Sequence, residues 1–208
     1  MRRRSLIWGI PALLYAVFFA WYTDLRGPLE PAEIDAFVTT LQERGFTPEH
    51  QAHLREFMQA DTGREFLMVN AIDMAEDPPD VEGAPPGATA EQLMDHYMEH
   101  MYAQLFQRAS HPVVMGGAIF GLLDRVGIDG ADGWTMAGIM RYRSRRSFAE
   151  IVTHPAMRGR HEFKTAALDK TIAYPIETQF YLGDPRVLLG LFLLAGAALT
   201  DLATQRRS

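Results

Sequence analysis

Two histidines on one helix turn are the first residues in this chain that could do chemistry. His96 and His100 are four residues apart in a segment with helical periodicity, so their imidazoles share a face and could hold a metal ion. A third ligand would be needed, and this spacing alone is a weak metal signature. Two half-exposed histidines beside an apolar stripe are the favoured interpretation. Haem ligation needs only a neutral imidazole, so the sequence requires no cofactor but leaves haem open.

A second set of polar residues suggests a small-molecule pocket. Asn70 interrupts an otherwise apolar strand, and a buried amide requires hydrogen-bond partners. Arg141 and Tyr142 end a predicted neighbouring strand, and His161 is expected to approach the sheet from a helix. Together they would bind a ligand, with His161 able to move a proton near neutral pH. Structural hydrogen bonds are the competing interpretation, and no residue is assigned as catalytic.

The charge distribution argues against nucleic acid as a partner. The chain has 20 Lys and Arg against 26 Asp and Glu, a net charge of -6. Residues 24–186 contain 15 basic and 25 acidic residues, a net charge of -10, whereas phosphate binding requires clustered basic residues. The chain has no cysteine, which excludes disulfides, thiolate catalysis and cysteine-ligated metals.

Both ends of the chain are predicted to cross a membrane. Residues 6–23 and 187–204 are apolar runs of 18 residues, the short limit for a span. Arginines lie outside both runs, at positions 2–4 and at 206 and 207. Positive charge favours the cytoplasmic side, so both termini are predicted in the cytoplasm and residues 24–186 in the periplasm. An uncleaved anchor is favoured over a signal peptide, because the first run ends in bulky aromatic residues.

Small residues within the first span suggest helix packing. Ala12, Ala16 and Ala20 form a stripe that would let another helix approach closely. The alternative is that alanine is simply common in such helices. Asp201 lies near the cytoplasmic end of the second span, where its carboxylate is expected to reach water.

Periodicity divides the chain into four parts. A transmembrane helix (1–23) and a helical linker (24–62) precede an α+β domain (63–182), and a transmembrane helix with a cytoplasmic tail (183–208) follows. The linker helices could form a stalk or pack on the domain. Strands are predicted at 66–73, 112–122, 134–142 and 171–181. Domain helices are predicted at 89–108, 147–152 and 155–170.

The predicted order β-α-β-β-α-β is that of the ferredoxin-like fold. Helices on one face of such a sheet leave the other face in need of a cover, and a second copy would give a two-fold homodimer. The same face covered by a different protein is the alternative.

Three segments carry a resemblance to a known family. They are "GREFLMVNAID" (63–73), "WTMAGIMRYRSRRSFAEIVTHPAM" (134–157) and "HEFKTAALDKTIAYPI" (161–176). They resemble a bacterial family of unknown function in the dimeric α/β-barrel superfamily. The resemblance implies a ferredoxin-like protomer that pairs through the open sheet face. The inner-membrane location is predicted from the two apolar runs and their flanking arginines. Relatives include monooxygenases and haem-processing enzymes, so the resemblance implies little about activity. The flanking spans and Phe163, where a polar residue would be expected, depart from the family.

Two function classes follow from the sequence. The first is an extracytoplasmic accessory or scaffold protein of a membrane complex, anchored in the bilayer and assembling through its spans and barrel domain. The second is a small-molecule-binding protein, or a cofactor-independent, monooxygenase-like enzyme acting on an apolar substrate. The sequence favours the first class and leaves open whether the protein is an enzyme.

Overall fold

The computed structural model describes residues 2–179 and 181–206 and divides the chain into two compact units. One unit comprises the two terminal segments, up to Leu25 and from Thr178. The other, Arg26–Glu177, contains the α+β domain together with the predicted linker.

The terminal unit pairs helix α1 (Arg2–Tyr22) with helix α7 (Pro185–Gln205). Both helices are long and apolar enough to cross a membrane. The Asp184 side chain caps α7 by accepting a hydrogen bond from the Arg186 amide. Gly190 lies directly over Tyr15, since a Cβ there would be 3.2 Å from the tyrosine ring. The small residue therefore allows the two helices to approach closely.

Helices α2 (Pro31–Glu43) and α3 (Pro48–Gln59) pack on the domain and do not form a separate stalk. Each begins with a proline at its first turn, where a missing N–H costs nothing. Their apolar faces meet through Phe37, Leu41 and Met58, and the same cluster includes Ala149. Hydrophobic burial on both sides thus makes the linker part of the domain.

The sheet has four antiparallel strands in the order β2-β3-β1-β4. In chain order they are β1 (Phe66–Met74), β2 (His111–Gly117), β3 (Met136–Tyr142) and β4 (Leu168–Ile176). Helix α4 (Ala90–Gln107) connects β1 to β2. Helix α5 (Arg145–Val152), a 3₁₀ turn (Pro155–Met157) and helix α6 (His161–Ala166) connect β3 to β4. The α+β class predicted from the sequence is confirmed.

One face of the sheet packs against the helices. Phe66 and Met68 of β1 and Met140 and Tyr142 of β3 meet Leu105 of α4 in a buried cluster. Because strand side chains alternate, the intervening residues point to the opposite face. The helices therefore pack on one face, and the opposite face carries exposed side chains such as those of Val114 and Tyr174.

Four element boundaries differ from the sequence prediction. The cap of α5 is Ser144, whose hydroxyl accepts from the Ser147 amide, and not Ser147 itself. The helical segment predicted over 155–170 is present as the 3₁₀ turn and α6, but its predicted end near Lys170 is wrong, because β4 begins at Leu168 and pairs with β1. Strand β2 ends at Gly117, five residues before the predicted end, and an exposed loop follows. The predicted final strand over 171–181 ends at Ile176; position 180 lies outside the described residues.

Candidate functional site

An apolar patch on the face of the sheet opposite the helices is the first candidate surface. Strand register places Val114, Ile139, Val69 and Tyr174 in one row across all four strands. The side chain of Val114 is 57% exposed and that of Tyr174 is 51% exposed. We call this row, with the next one, the open-face patch.

The neighbouring row of the open-face patch consists mostly of small residues. Gly116, Ala137, Ala71 and Ile172 are register partners across the sheet. Small side chains beside a band of larger apolar ones give a shallow surface that another sheet can approach. An exposed apolar surface of this kind is typical of a protein–protein contact.

Asn70 lies on the other face of the sheet, as a half-buried residue beneath the helices. Its Nδ2 donates to the Met68 carbonyl at 3.0 Å and to the Gly138 carbonyl at 3.4 Å. Its register partners Gly138 and Ala173 are both small, which makes room for the amide. The two bonds satisfy the donor capacity of the amide within the sheet.

Arg141 and Tyr142 point to opposite faces of β3, so they cannot line one pocket. Arg141 is 1% exposed, and its guanidinium donates to the Ala109 carbonyl and pairs with the Glu65 carboxylate. Tyr142 stacks on Phe66, with ring centroids 5.1 Å apart. Burial, with Tyr97 nearby, raises the pKa of Tyr142 well above its usual range. The contacts of both side chains are therefore structural ones.

His161 does not approach the sheet, and that prediction is wrong. It begins α6, a helix of six residues whose buried side chain is Phe163. The His161 ring lies on the surface, 6.4 Å from the ring of Phe46. Desolvation, followed by the positive charges of Lys164 and His50, lowers the pKa of His161 below its ordinary value. The four residues predicted to bind a ligand therefore do not come together in one site.

His96 and His100 do face the same side of α4, towards α6. The His96 ring is 5.6 Å from the ring of Phe163. The Nε2 of His100 is 3.3 Å from the Arg160 guanidinium. This cation stands where a metal site would need a third ligand. Across the described part of the chain, no cluster of three metal-ligating side chains is present. A shallow cavity of about 360 Å³ borders His96, and its other lining residues are Pro85, Gln92, Asp95 and Glu99.

The stripe of Ala12, Ala16 and Ala20 is exposed along α1. The side of α1 turned to α7 is instead the half-buried series that contains Tyr15. The stripe is therefore available to lipid or to a helix of another protein.

Asp201 is only 6% exposed and pairs with residues of α1, a contact that the sequence did not predict. Its Oδ2 accepts from Arg4 Nε at 3.1 Å and from Trp8 Nε1 at 3.4 Å. The pairing needs α1 and α7 to be antiparallel neighbours, which no local sequence pattern reveals. The carboxylate thus joins the two helices at their arginine-rich end.

The sequence identified the open face as a surface but not the residues that form its patch. Every second residue of a strand points to the same face, and this alternation is the sequence signal that could have identified the patch residues. The register, which sets Val69 beside Ile139 and Tyr174, comes only from the folded sheet.

Comparisons with known proteins give fold-level similarity. No protein-family model matches the chain, and no curated protein matches it. The chain is similar to the crystal structure of the RPA0582 protein of unknown function from Rhodopseudomonas palustris, with 18% sequence identity and a TM-score of 0.52. That match covers 65% of this chain and 96% of the other. Methylated RPA0582 matches with 18% identity and a TM-score of 0.53, covering 67% and 96%. The similarity extends to the fold alone, so the family resemblance stays a prediction.

Proposed function

We propose that this protein is a membrane-anchored accessory or scaffold protein of a bacterial inner-membrane complex. Its ferredoxin-like domain lies outside the cytoplasm and pairs with a second copy through the open-face patch. Helices α1 and α7 span the bilayer with both termini in the cytoplasm, and the exposed alanine stripe on α1 meets a helix of another subunit.

The open-face patch is the single observation that carries this proposal. Its apolar side chains are exposed on a sheet whose other face is already covered by helices. Burying one such side chain contributes roughly 1.5–3 kcal/mol. Two copies stacked face to face would bury both patches at once, as sheets do in two-layer assemblies.

The membrane part of the proposal rests on two independent features. Two helices, Arg3–Tyr22 and Pro185–Gln205, are apolar enough to span. Arg3 and Arg4 at the start of α1 and Arg206 at the end of α7 lie at the same end of the helix pair, in agreement with positive charge inside. Asp184 and Arg186 mark the opposite end of α7 with an ion pair of 2.7 Å.

The small-molecule alternative has less support. Asn70 bonds to its own sheet, Arg141 faces away from Tyr142, and His161 lies on the surface. A binding pocket needs polar groups that converge on one cavity. The accessory role therefore fits the geometry better.

Cysteine cross-linking tests the pairing without background, because the chain has no cysteine of its own. Tyr174→Cys or Ile172→Cys in native membranes should give disulfide-linked dimers under mild oxidation. Glu162→Cys, at an exposed position on α6, is the matched control and should give few.

Two further results would decide the proposal. A second substitution, Val114→Asp, should abolish the dimers at Tyr174→Cys, because a buried charge opposes association. Equal cross-linking at Tyr174→Cys and Glu162→Cys would contradict pairing through the open face.

A further inference from the structure

The loop between β2 and β3 exposes apolar side chains that the proposed dimer does not use. Residues 118–135 form this loop, which we call the β2–β3 loop. Ile119 is fully exposed, Leu123 is 91% exposed and Val126 is 84% exposed. Phe120 beside them is 77% exposed. Exposed apolar side chains clustered on one short segment mark an interaction site.

The base of the β2–β3 loop is held to the sheet. The Thr135 hydroxyl donates to the Ile72 carbonyl at 3.1 Å and accepts from the Met74 amide at 2.9 Å. Lys170 Nζ donates to the Asp132 carbonyl and pairs with Asp73 at 3.3 Å. The anchored base therefore presents the apolar segment outward at a defined place.

The β2–β3 loop lies at the end of the sheet opposite to the chain connections with the spans. Strand register places the loop beside Ile72 of β1 and the start of β4. The domain is joined to the terminal segments at Arg26, next to Gly27, which contacts Gly63 just before β1, and at Glu177, directly after β4. A strand of nine residues such as β4 is about 30 Å long. The apolar segment is thus at the end of the sheet opposite to both of these residues.

The surroundings of the apolar segment are acidic. The loop 75–89 leaves the same end of the sheet, directly after β1. The two loops together contain seven acidic residues and one basic residue, a net charge of -6. Arg125 pairs with Asp132 at 2.9 Å, and the other six acidic side chains are exposed. Such a field attracts cations and repels both anionic lipid and a second acidic copy of this domain.

We propose that the β2–β3 loop and the loop 75–89 form a docking surface for a basic amphipathic segment of a partner protein. Apolar side chains of that segment pack on Ile119, Phe120, Leu123 and Val126, and its Lys and Arg side chains face the acidic rim. This inference rests on the accessory role proposed above and gives the chemical class of the partner.

Two synthetic helical peptides test the docking surface. They share one leucine face and differ only in a polar face of lysine or of glutamate. Binding is measured by fluorescence anisotropy to the full chain in nanodiscs of zwitterionic lipid, with empty nanodiscs subtracted. The lysine peptide should bind and the glutamate peptide should bind at least tenfold more weakly. Raising the ionic strength should weaken the binding of the lysine peptide.

Matched variants separate the loop from the rest of the domain. Phe120→Ser with Leu123→Ser should weaken binding of the lysine peptide at least tenfold, whereas Phe106→Ser, at a 54% exposed position on α4, should leave its affinity unchanged. Equal binding of both peptides, or unchanged binding by the loop variant, would overturn the inference.

These experiments distinguish a failure of the docking inference from a failure of the proposed function. Loss of dimers in the loop variant would assign the loop to the second copy and overturn a basic partner. If cysteine cross-linking still shows paired open faces while neither peptide binds, the docking inference fails and the proposed function stands.

Discussion

Replacing Glu33 by Gln should lower the free energy of unfolding at neutral pH, and the loss should vanish as the pH falls towards 2. The Glu33 carboxylate receives two hydrogen bonds from the buried Arg146, at 2.6 and 2.9 Å. Arg146 also donates to the carbonyls of Gly27 and Pro28. This ion pair joins α2 to the start of α5. Gln preserves the shape of the side chain and removes only its charge.

The hydrogen bonds from Arg146, against an opposing desolvation, hold the pKa of Glu33 at about 2 instead of 4.5. A difference of this size corresponds to about 3 kcal/mol of stability. The Glu33 side chain is 38% exposed, so solvent screening reduces this to about 1–2 kcal/mol. Because the folded pKa is the lower one, the contribution is fully present above pH 4.5. It is lost as the pH falls through the folded pKa.

Urea unfolding of the full chain in a nonionic detergent, followed by circular dichroism, measures the effect. The wild type and Glu33→Gln should differ by about 1–2 kcal/mol at pH 7 and by less than half of that at pH 3. Asp35→Asn is the control, because Asp35 pairs with Arg55 at 2.6 Å on the surface and should cost under about 0.5 kcal/mol. A difference for Glu33→Gln that stays constant from pH 7 to pH 3 would refute the assigned charge interaction.

Three further substitutions have defined outcomes. Asp201→Leu removes the acceptor for Arg4 and should speed hydrogen exchange in the first turns of α1 about tenfold in nanodiscs; unchanged exchange would mean that the pair does not stabilise the hairpin. Gly63→Ala should lower the free energy of unfolding in urea by about 1–3 kcal/mol, because φ is +72° and a Cβ would lie 2.6 Å from the backbone of Gly27. Gly127→Ala, at φ +69° in open space, should cost less, and equal costs would show that the contact is unimportant. Asn70→Ala should cost about 1–2 kcal/mol through its lost hydrogen bonds, and an unchanged midpoint would argue against a structural amide.

Local sequence signals were sufficient for several elements of the fold. Thr89 and Gln92 predicted the start of α4, and both capping hydrogen bonds are present. The run of apolar, β-prone residues at 66–73 predicted β1, which spans Phe66–Met74. These elements depend on interactions within a few residues, which a sequence displays directly.

Elements that depend on distant partners were harder to predict. The stretch before Lys170 has helical periodicity, yet β1 draws it into the sheet and Lys170 pairs with Asp73. Tertiary pairing overrides such a short helical signal. The end of β2 was misplaced because the apolar residues after Gly117 resemble a strand, although they form an exposed loop.

The candidate site residues show the same difference between local signals and distant contacts. Arg141 and Tyr142 were predicted to share a pocket, although the alternation of side chains along a strand already places neighbouring residues on opposite faces of the sheet. The partners of Arg141, the Ala109 carbonyl and Glu65, are 32 and 76 residues away and require the folded chain. The open-face patch was expected as a surface, and only strand register defines its rows.

Native mass spectrometry of the protein released from its own membrane in mild detergent tests the central proposal most directly. The account predicts a homodimer, alone or with other polypeptides, that Val114→Asp converts to monomers. A monomeric wild-type chain that carries a reproducible small molecule and no other polypeptide would contradict the scaffold role and favour ligand binding.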